Sequence, residues 1–403
     1  MKILLVKKLI FLTTLFMYIY SPPFRLLPFN VSIMIAVFAY AHIFMCGRVG
    51  EILDLFKIEL IIFFLISAYS LAISIYFGGF GFTDSFVILF FNLPVCFWLF
   101  YFFKNVYGGE VIYEKFVKVL GLLAAFSSFC SIALWLNQDL GNYVKFELLK
   151  YDRDLMVHQM HRGFGLSDEL LFSYSLVQGC ILLLVLACYG MNRFTAILTA
   201  LVFFSISLNA RIGFVLFALI LALPTLWRVK NIYLVLFVVF CGAFFNYFFE
   251  WGEVISFSVK QFVYFFNDFL GADDNYNTLS VLFGDMFFFP QDAFGLIFGS
   301  GENIFYRASG GSDVGYIIIL HYGGLIYFVL ILILFLSCFA RGLLMGSRVI
   351  PISIITFMVF FASFKGLVFA PKPGSHIFFL VYIFLVLSNC YNRFNKQRLM
   401  GSL

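Results

Sequence analysis

The sequence predicts an all-α integral membrane protein that crosses the bilayer about twelve times. Of its 403 residues, 63% are hydrophobic and 12% are charged, whereas soluble domains carry about a quarter charged residues. Apolar runs long enough to cross a hydrocarbon core of about 30 Å as helices recur along the whole chain. The basic residues fall mostly in alternate connections between these runs. Together these observations predict a single polytopic membrane domain over 1–403.

Each predicted span is an apolar run of about the length that a membrane-crossing helix requires. The first run follows Lys2, Lys7 and Lys8 and so resembles a signal peptide. Because no small-residue cleavage site comes after it, we interpret it as a retained first span. The predicted spans are 9–21, 28–46, 58–77, 85–103, 116–136, 170–190, 194–209, 212–227, 231–249, 314–339, 349–368 and 375–391.

The distribution of basic residues predicts the orientation of the spans. With the N-terminus in the cytoplasm, sixteen lysines and arginines lie on the inner side, whereas the short outer loops and their margins hold only four: Arg25, Arg211, Lys365 and Lys372. Positive charge is preferentially kept on the cytoplasmic side during insertion. Both termini are therefore predicted to be cytoplasmic.

Two long connections, 137–169 and 250–313, interrupt the pattern of short turns, and the predicted topology places both outside. Long loops in compact proteins usually carry function or are disordered. These two are rich in aromatic residues, so we expect them to be ordered. Within the second loop, 254–270 is mostly apolar, which favours a helix in the membrane interface; a re-entrant segment is the alternative. We expect the functional chemistry on this outer side.

The first long loop ends in a dense polar group just before the sixth span. His158, His161 and Arg162 are followed by two glycines and two carboxylates. One interpretation is an ordinary polar loop rim. The other is an anion site, because an arginine can form paired hydrogen bonds to phosphate and glycines let the backbone approach it. The histidine pair lacks a clearly placed third ligand, so no metal site is predicted.

Arg211 stands alone in the hairpin 207–213, between two apolar spans with almost no exposed length. Ionisable residues at such depth are costly and are often functional. The alternative is a guanidinium group that reaches the outer lipid headgroups. Arg211 is therefore a candidate for binding an anion.

A third polar group joins the second long loop to the tenth span. It comprises the glycine-rich segment 298–302, Arg307, Asp313, His321 and the glycine pair 323–324. Residues four apart are neighbours on a helix, so Asp313 and His321 would share one stripe, with His321 about 12 Å deeper. Asp313 is a candidate catalytic carboxylate or a helix N-cap. The glycine pair indicates close helix packing.

This layout resembles the Wzy family of O-antigen polymerases, within the O-antigen ligase and polymerase superfamily. The resemblance rests on the twelve spans with two large outer loops, the hairpin 209–213 of the Ser/Asn-x-Arg-x-Gly kind, and the segment 312–315 leading into a Gly-Gly helix. The related ligases carry a histidine ahead of this helix. Here Asp313 takes that position, while Gly324 and Tyr327 match the end of the ligase signature. This departure favours a polymerase over a ligase.

The resemblance implies a GT-C-like glycosyltransferase of the bacterial inner membrane that acts at the periplasmic face without a metal or another cofactor. Its donor would be undecaprenyl pyrophosphate carrying a growing polysaccharide, and its acceptor the same carrier with one repeat unit. Membrane lipid and a separate chain-length regulator are implied partners. Nucleic acid is not a predicted partner.

The resemblance also suggests roles for the candidate residues. Stabilisation of the lipid pyrophosphate leaving group is expected of three arginines, Arg162, Arg211 and Arg307. Deprotonation of the acceptor hydroxyl is expected of a general base, for which the candidates in order are Asp313, His161 and His321.

A lipid-linked oligosaccharide flippase or similar transporter is the main alternative, because it also has about twelve spans. Transporters usually place charges near the midplane and often show two related halves. This sequence shows no internal repeat, and its candidate residues cluster on one predicted face. An O-antigen ligase is the second alternative, disfavoured by the missing histidine.

Overall fold

The structure of the chain is a computed structural model. It describes ten ranges of the chain: residues 2–27, 30–78, 84–108, 112–150, 166–167, 172–209, 284–304, 311–344, 349–363 and 373–400.

The described residues are almost entirely helical, and they contain no β-strand. A single antiparallel bridge joins Phe24 to Leu149. A short π-helical turn covers Val144–Leu148. The α-helices are α1 Lys2–Tyr20, α2 Val31–Met45, α3 Val49–Leu55, α4 Lys57–Phe77, α5 Asp84–Tyr107, α6 Ile112–Leu136, α7 Gln138–Tyr143, α8 Phe172–Tyr189, α9 Arg193–Ser207, α10 Ala293–Phe298, α11 Gly315–Leu344, α12 Val349–Ala362 and α13 Pro373–Met400.

Within the described ranges, six helices are long and apolar enough to cross a membrane: α1, α4, α5, α6, α11 and α13. A seventh span results if α2 and α3, which meet at 102°, are counted as one bent pair. Helices α8, α9 and α12 are apolar but shorter. The all-α membrane fold is therefore confirmed, while the count of twelve spans stays a prediction. The predicted spans 212–227 and 231–249 lie outside the described residues.

The chain divides into two compact units, of which the first comprises Met1–Ile19, Phe29–Lys115 and Ser280–Leu403. In this unit α4 packs against α11, and α5 packs against both α2 and α13. The helix interfaces are filled with aromatic side chains such as Phe63 and Phe379, whose ring centroids lie 5.4 Å apart. Between helices in lipid, such close packing replaces the hydrophobic driving force available in water.

A buried ion pair joins three helices of the first unit. One guanidinium nitrogen of Arg341 lies 2.8 Å from both carboxylate oxygens of Glu59, which is 2% exposed. The second nitrogen donates to the Leu55 carbonyl, and the Tyr382 hydroxyl donates to Glu59. We call Glu59, Arg341 and Tyr382 the ion-pair clamp. It ties the predicted cytoplasmic ends of α4 and α11 to the middle of the predicted last span in α13.

A second buried polar group of the first unit joins α1, α5 and α13. Nδ1 of His376 lies 3.0 Å from the Tyr18 carbonyl, and the two rings stack. The Tyr18 hydroxyl donates to the Asn92 side-chain oxygen at 2.6 Å. His376 is thus a buried interhelical contact in this structure.

The second unit comprises Tyr20–Pro28 and Phe116–Leu279. Helices α8 and α9 pack against each other, and Gly121 of α6 allows Val185 and Phe194 to approach the backbone closely. The segment 20–27 runs beside the π-helical turn, where the Arg25 amide donates to the Leu148 carbonyl at 2.9 Å. Part of the first predicted outer loop is therefore ordered by backbone hydrogen bonds.

Candidate functional site

The α11 helix is broken at Gly324. This residue has φ 65° and ψ −167°, a combination that residues with a side chain essentially do not adopt. A Cβ atom there would also clash with the backbone carbonyl of Ile297. Glycine is required on both grounds. The glycine pair that we predicted to serve close packing therefore also breaks the helix.

The carbonyl groups released by the break are hydrogen-bonded by another segment of the first unit. The Ser300 amide and hydroxyl donate to the His321 carbonyl at 2.7 and 2.9 Å, and the Gly301 amide donates to the Tyr322 carbonyl at 2.9 Å. In a continuous helix these carbonyls would accept from amides four residues later. The structure thus brings together the two glycine-rich segments that the sequence analysis singled out.

Residues 293–301, which we call the inserted segment, enter and leave along one face of α4. In chain order, the Phe294 ring lies 6.4 Å from the Tyr76 ring, the Phe298 carbonyl accepts from the Tyr69 hydroxyl at 3.2 Å, and Gly301 packs against Phe77. The segment therefore contacts α4 over about two turns, between Tyr69 and Phe77. Its last three residues, 299–301, are non-helical, and non-helical backbone at membrane depth is tolerated where protein buries it or where it lines a cavity.

Asp313 lies just before α11 rather than on it. The helix begins at Gly315, so the predicted helical stripe that includes Asp313 is wrong at its outer end. The neighbouring Ser312 side chain makes the local hydrogen bonds: its Oγ donates to the Met286 carbonyl at 2.7 Å and accepts from the Val314 amide at 3.0 Å. Asp313 itself is exposed and makes no hydrogen bond or ion pair with the described residues. It is a carboxylate accessible to solvent on a fixed stretch of backbone.

His321 is buried inside the first unit. Its Nε2 lies 3.2 Å from the Phe288 carbonyl, and the two rings meet edge to face with centroids 5.0 Å apart. Because a carbonyl oxygen only accepts, Nε2 must carry a proton in this arrangement. His321 therefore holds 284–290 against α11 through Nε2, and that nitrogen is not available for the predicted role of general base.

The remaining predicted site residues cannot be placed in the same way. His161, Arg162, Arg211 and Arg307 lie outside the described residues. Asn209, two residues before Arg211, is described and buried: its side-chain nitrogen donates to the Ser205 carbonyl at 2.8 Å and to the Ser131 hydroxyl at 3.3 Å. The end of α9 is thus fixed to α6 where the predicted hairpin begins.

Lys145 is a buried residue that the sequence analysis missed. It lies in the π-helical turn, outside the candidate spans, with 4% of its surface exposed. Burial lowers the pKa of its amine to about 8, because loss of water disfavours the charged form. Nothing in the local sequence distinguishes Lys145 from an exposed loop lysine.

This lowered pKa predicts a pH-dependent stability. Below pH 8 the amine is protonated in both the folded and the unfolded protein, so the penalty for burying the charge is fully present. Between pH 8 and about 10.5 the folded protein releases this proton first, so wild type should gain stability relative to Lys145→Met, on the order of 2 kcal/mol. Thermal unfolding of both proteins in detergent at pH 7 and pH 10 measures the change. A constant difference between them would contradict it.

Within the described ranges there is no group of three or more His, Cys, Asp or Glu residues that could hold a metal ion. Seven cysteines are described, and all are free thiols. The described part of the site presents the exposed carboxylate of Asp313. A carboxylate in that position can accept a proton from a hydroxyl group brought to it.

Comparison of the chain with models of known protein families, with curated proteins and with solved structures finds no match.

Proposed function

We propose that the chain polymerises lipid-linked O-antigen repeat units at the periplasmic face of the bacterial inner membrane. A hydroxyl of the acceptor sugar attacks the anomeric carbon of the donor chain. The bond from that carbon to the pyrophosphate oxygen breaks, and undecaprenyl pyrophosphate leaves. The hydroxyl proton passes to a general base.

The observation that carries this proposal is the exposed carboxylate of Asp313 on a fixed support. Its backbone is held through Ser312, which bonds both Met286 and Val314. Below it, the inserted segment closes the break in α11. A base must be positioned within hydrogen-bond reach of the hydroxyl it deprotonates, and a rigid support serves that requirement.

The leaving group in this proposal is stabilised by positive charge. A lipid pyrophosphate gains negative charge as its bond to the sugar breaks, and arginine donors can stabilise that charge. We propose Arg162, Arg211 and Arg307 for this role. They come from both predicted outer loops and from the hairpin after α9.

A lipid-linked oligosaccharide transporter is the second candidate function. The break in α11 at Gly324 favours it, because many transporters form their substrate sites at discontinuous helices near the membrane midplane. The ion-pair clamp, by contrast, joins the predicted cytoplasmic ends of α4 and α11 and links them to α13. A transporter would have to separate those ends, whereas an enzyme with a site on the outer face would not.

Deletion of the gene in the source bacterium tests the proposed function. We expect the lipopolysaccharide ladder on a gel to collapse to core plus a single repeat unit, because one unit can still be translocated and ligated. Core without any repeat unit would instead indicate the transporter or a ligase, and would overturn the proposal.

Complementation with Asp313→Asn tests the proposed base. We expect the ladder to be lost or reduced at least about 100-fold, in line with the usual contribution of a positioned base, while the amount of protein in the membrane is unchanged. Asp285→Asn is the matched control, since Asp285 is another exposed carboxylate of the first unit. A normal ladder from Asp313→Asn would exclude Asp313 as the base.

A further inference from the structure

The predicted outer ends of α6, α8 and α9 share a buried layer of uncharged polar side chains within the second unit. The residues of this polar layer are Ser127, Ser128, Ser131, Tyr174, Ser175, Gln178, Ser205 and Asn209. Polar groups buried in a membrane bundle are costly unless they bond one another. The layer therefore needs a complete account of its hydrogen bonds.

Most polar atoms of the layer form hydrogen bonds with other residues of the protein. The Tyr174 and Ser205 hydroxyls lie 2.7 Å apart, and Asn209 bonds Ser131 of α6. One end of the Gln178 amide lies 3.0 Å from the Tyr20 hydroxyl. These contacts fasten the helices to one another.

Ser128, Ser175 and Gln178 are among the exceptions, and the last two lie together on α8. Within the part of the chain that the structure describes, the Ser128 and Ser175 hydroxyls have no hydrogen-bond partner, and neither does the second polar atom of the Gln178 amide, whichever way that amide is turned. Each unpartnered buried polar atom destabilises the fold and calls for an explanation.

The positions and the chemistry of Ser175 and Gln178 suit them to bind the same ligand. Both lie in the first two turns of α8, and residues three apart face the same side of a helix. The layer carries no charged side chain among the described residues, so it suits a neutral ligand better than a pyrophosphate. A hydroxyl group both donates and accepts hydrogen bonds, which matches a serine hydroxyl beside an amide.

We propose that Ser175 and Gln178 form a subsite for the hydroxyl groups of the lipid-linked sugar. This inference rests on the proposed function and adds to it where the carbohydrate, as distinct from the pyrophosphate, is recognised. Both side chains are closed off from solvent in this structure. Binding therefore includes separation of the outer ends of the helices around them, and the unpartnered atoms lower the free-energy cost of that opening.

Binding measurements on the purified full-length protein in nanodiscs test the subsite. The probes are the undecaprenyl-pyrophosphate-linked repeat unit, isolated from cells lacking this gene, and undecaprenyl pyrophosphate without sugar. We expect Ser175→Ala and Gln178→Met to weaken binding of the sugar-bearing lipid about three- to tenfold, the usual effect of losing one neutral hydrogen bond. Binding of the sugar-free lipid should stay unchanged.

Thermal unfolding without ligand separates this role from a structural one. Ser175→Ala removes an unpartnered atom and should leave the melting temperature unchanged or raise it. The matched control, Ser205→Ala, takes a partner from Tyr174 and should lower the melting temperature without a selective loss of sugar binding. A variant Ser175→Ala that binds both lipids like wild type overturns the subsite, as does one that loses affinity for both equally.

Failure of the subsite and failure of the proposed function give different results. Polymer synthesis by wild type from the lipid-linked repeat unit decides the proposed function. Selective loss of sugar binding in Ser175→Ala decides the subsite, and it is measured whether or not polymer forms. A wild-type protein that polymerises, with a Ser175→Ala variant of unchanged affinity, overturns the subsite alone.

Discussion

Replacing Arg341 with methionine is expected to lower the free energy of unfolding by about 3–5 kcal/mol, the usual loss when one partner of a buried ion pair is removed. Glu59, at 2% exposure, would lose its guanidinium partner and keep only the Tyr382 hydroxyl within the ion-pair clamp. Denaturant unfolding of the purified protein in detergent measures the loss. The yield of folded protein is a second readout.

A double variant distinguishes the cost of leaving one charge of the ion pair buried without its partner from the cost of losing the two side chains. Glu59→Leu combined with Arg341→Met removes both charges, so it should cost less than Arg341→Met alone. The exposed pair of Arg25 and Glu147, at 3.4 Å with side chains 58% and 48% exposed, supplies the control: Glu147→Gln should cost less than about 1 kcal/mol. A double variant less stable than the single one would contradict the account of the clamp.

Substituting Gly324 with alanine should have a comparably large effect, a loss of about 4 kcal/mol or failure to accumulate folded protein. The backbone conformation there is closed to other residues, and the new methyl group would meet the Ile297 carbonyl. Size-exclusion profiles and melting temperatures of the purified variants report the result.

Gly190 provides the matched control for Gly324. It also has a positive φ, 60°, but nothing lies within 4 Å of where its Cβ would be. Gly190→Ala should therefore cost about 1–2 kcal/mol, the penalty of the left-handed conformation itself. Equal losses at the two positions would mean that the contact with the inserted segment contributes nothing.

The sequence predicted the class of fold well because lipid imposes a strong and local signal. A run of apolar residues long enough to cross the bilayer is readable without knowing its neighbours, and the tenth predicted span, 314–339, begins within one residue of α11. The short helix α3 was missed. Its seven residues, Val49–Leu55, include two carboxylates and carry no hydropathy signal of their own, so we had assigned them to a loop.

The candidate site was predicted in its parts but not in its assembly. The glycines of the segments around Ser300 and Gly324 marked both as candidates. The contact between the two segments depends on tertiary packing, which neither segment encodes locally. The pairing of Glu59 with Arg341 joins residues 282 positions apart. In the charge distribution, Arg341 counts only as one of the sixteen basic residues on the inner side. Charge distribution shows on which side of the membrane a residue lies, but not which partner it contacts.

The hydrogen bonds between the inserted segment and α11 constrain how the chain folds during membrane insertion. Without the inserted segment, the His321 and Tyr322 carbonyls would be unpaired and away from water, which costs several kcal/mol per group. They escape that cost only if Gly324 returns to helical geometry, a change that glycine makes readily. Residues 293–301 leave the ribosome before α11 does. Docking of this segment and bending of α11 are therefore coupled steps in membrane insertion. If the segment does not dock, α11 does not bend at Gly324.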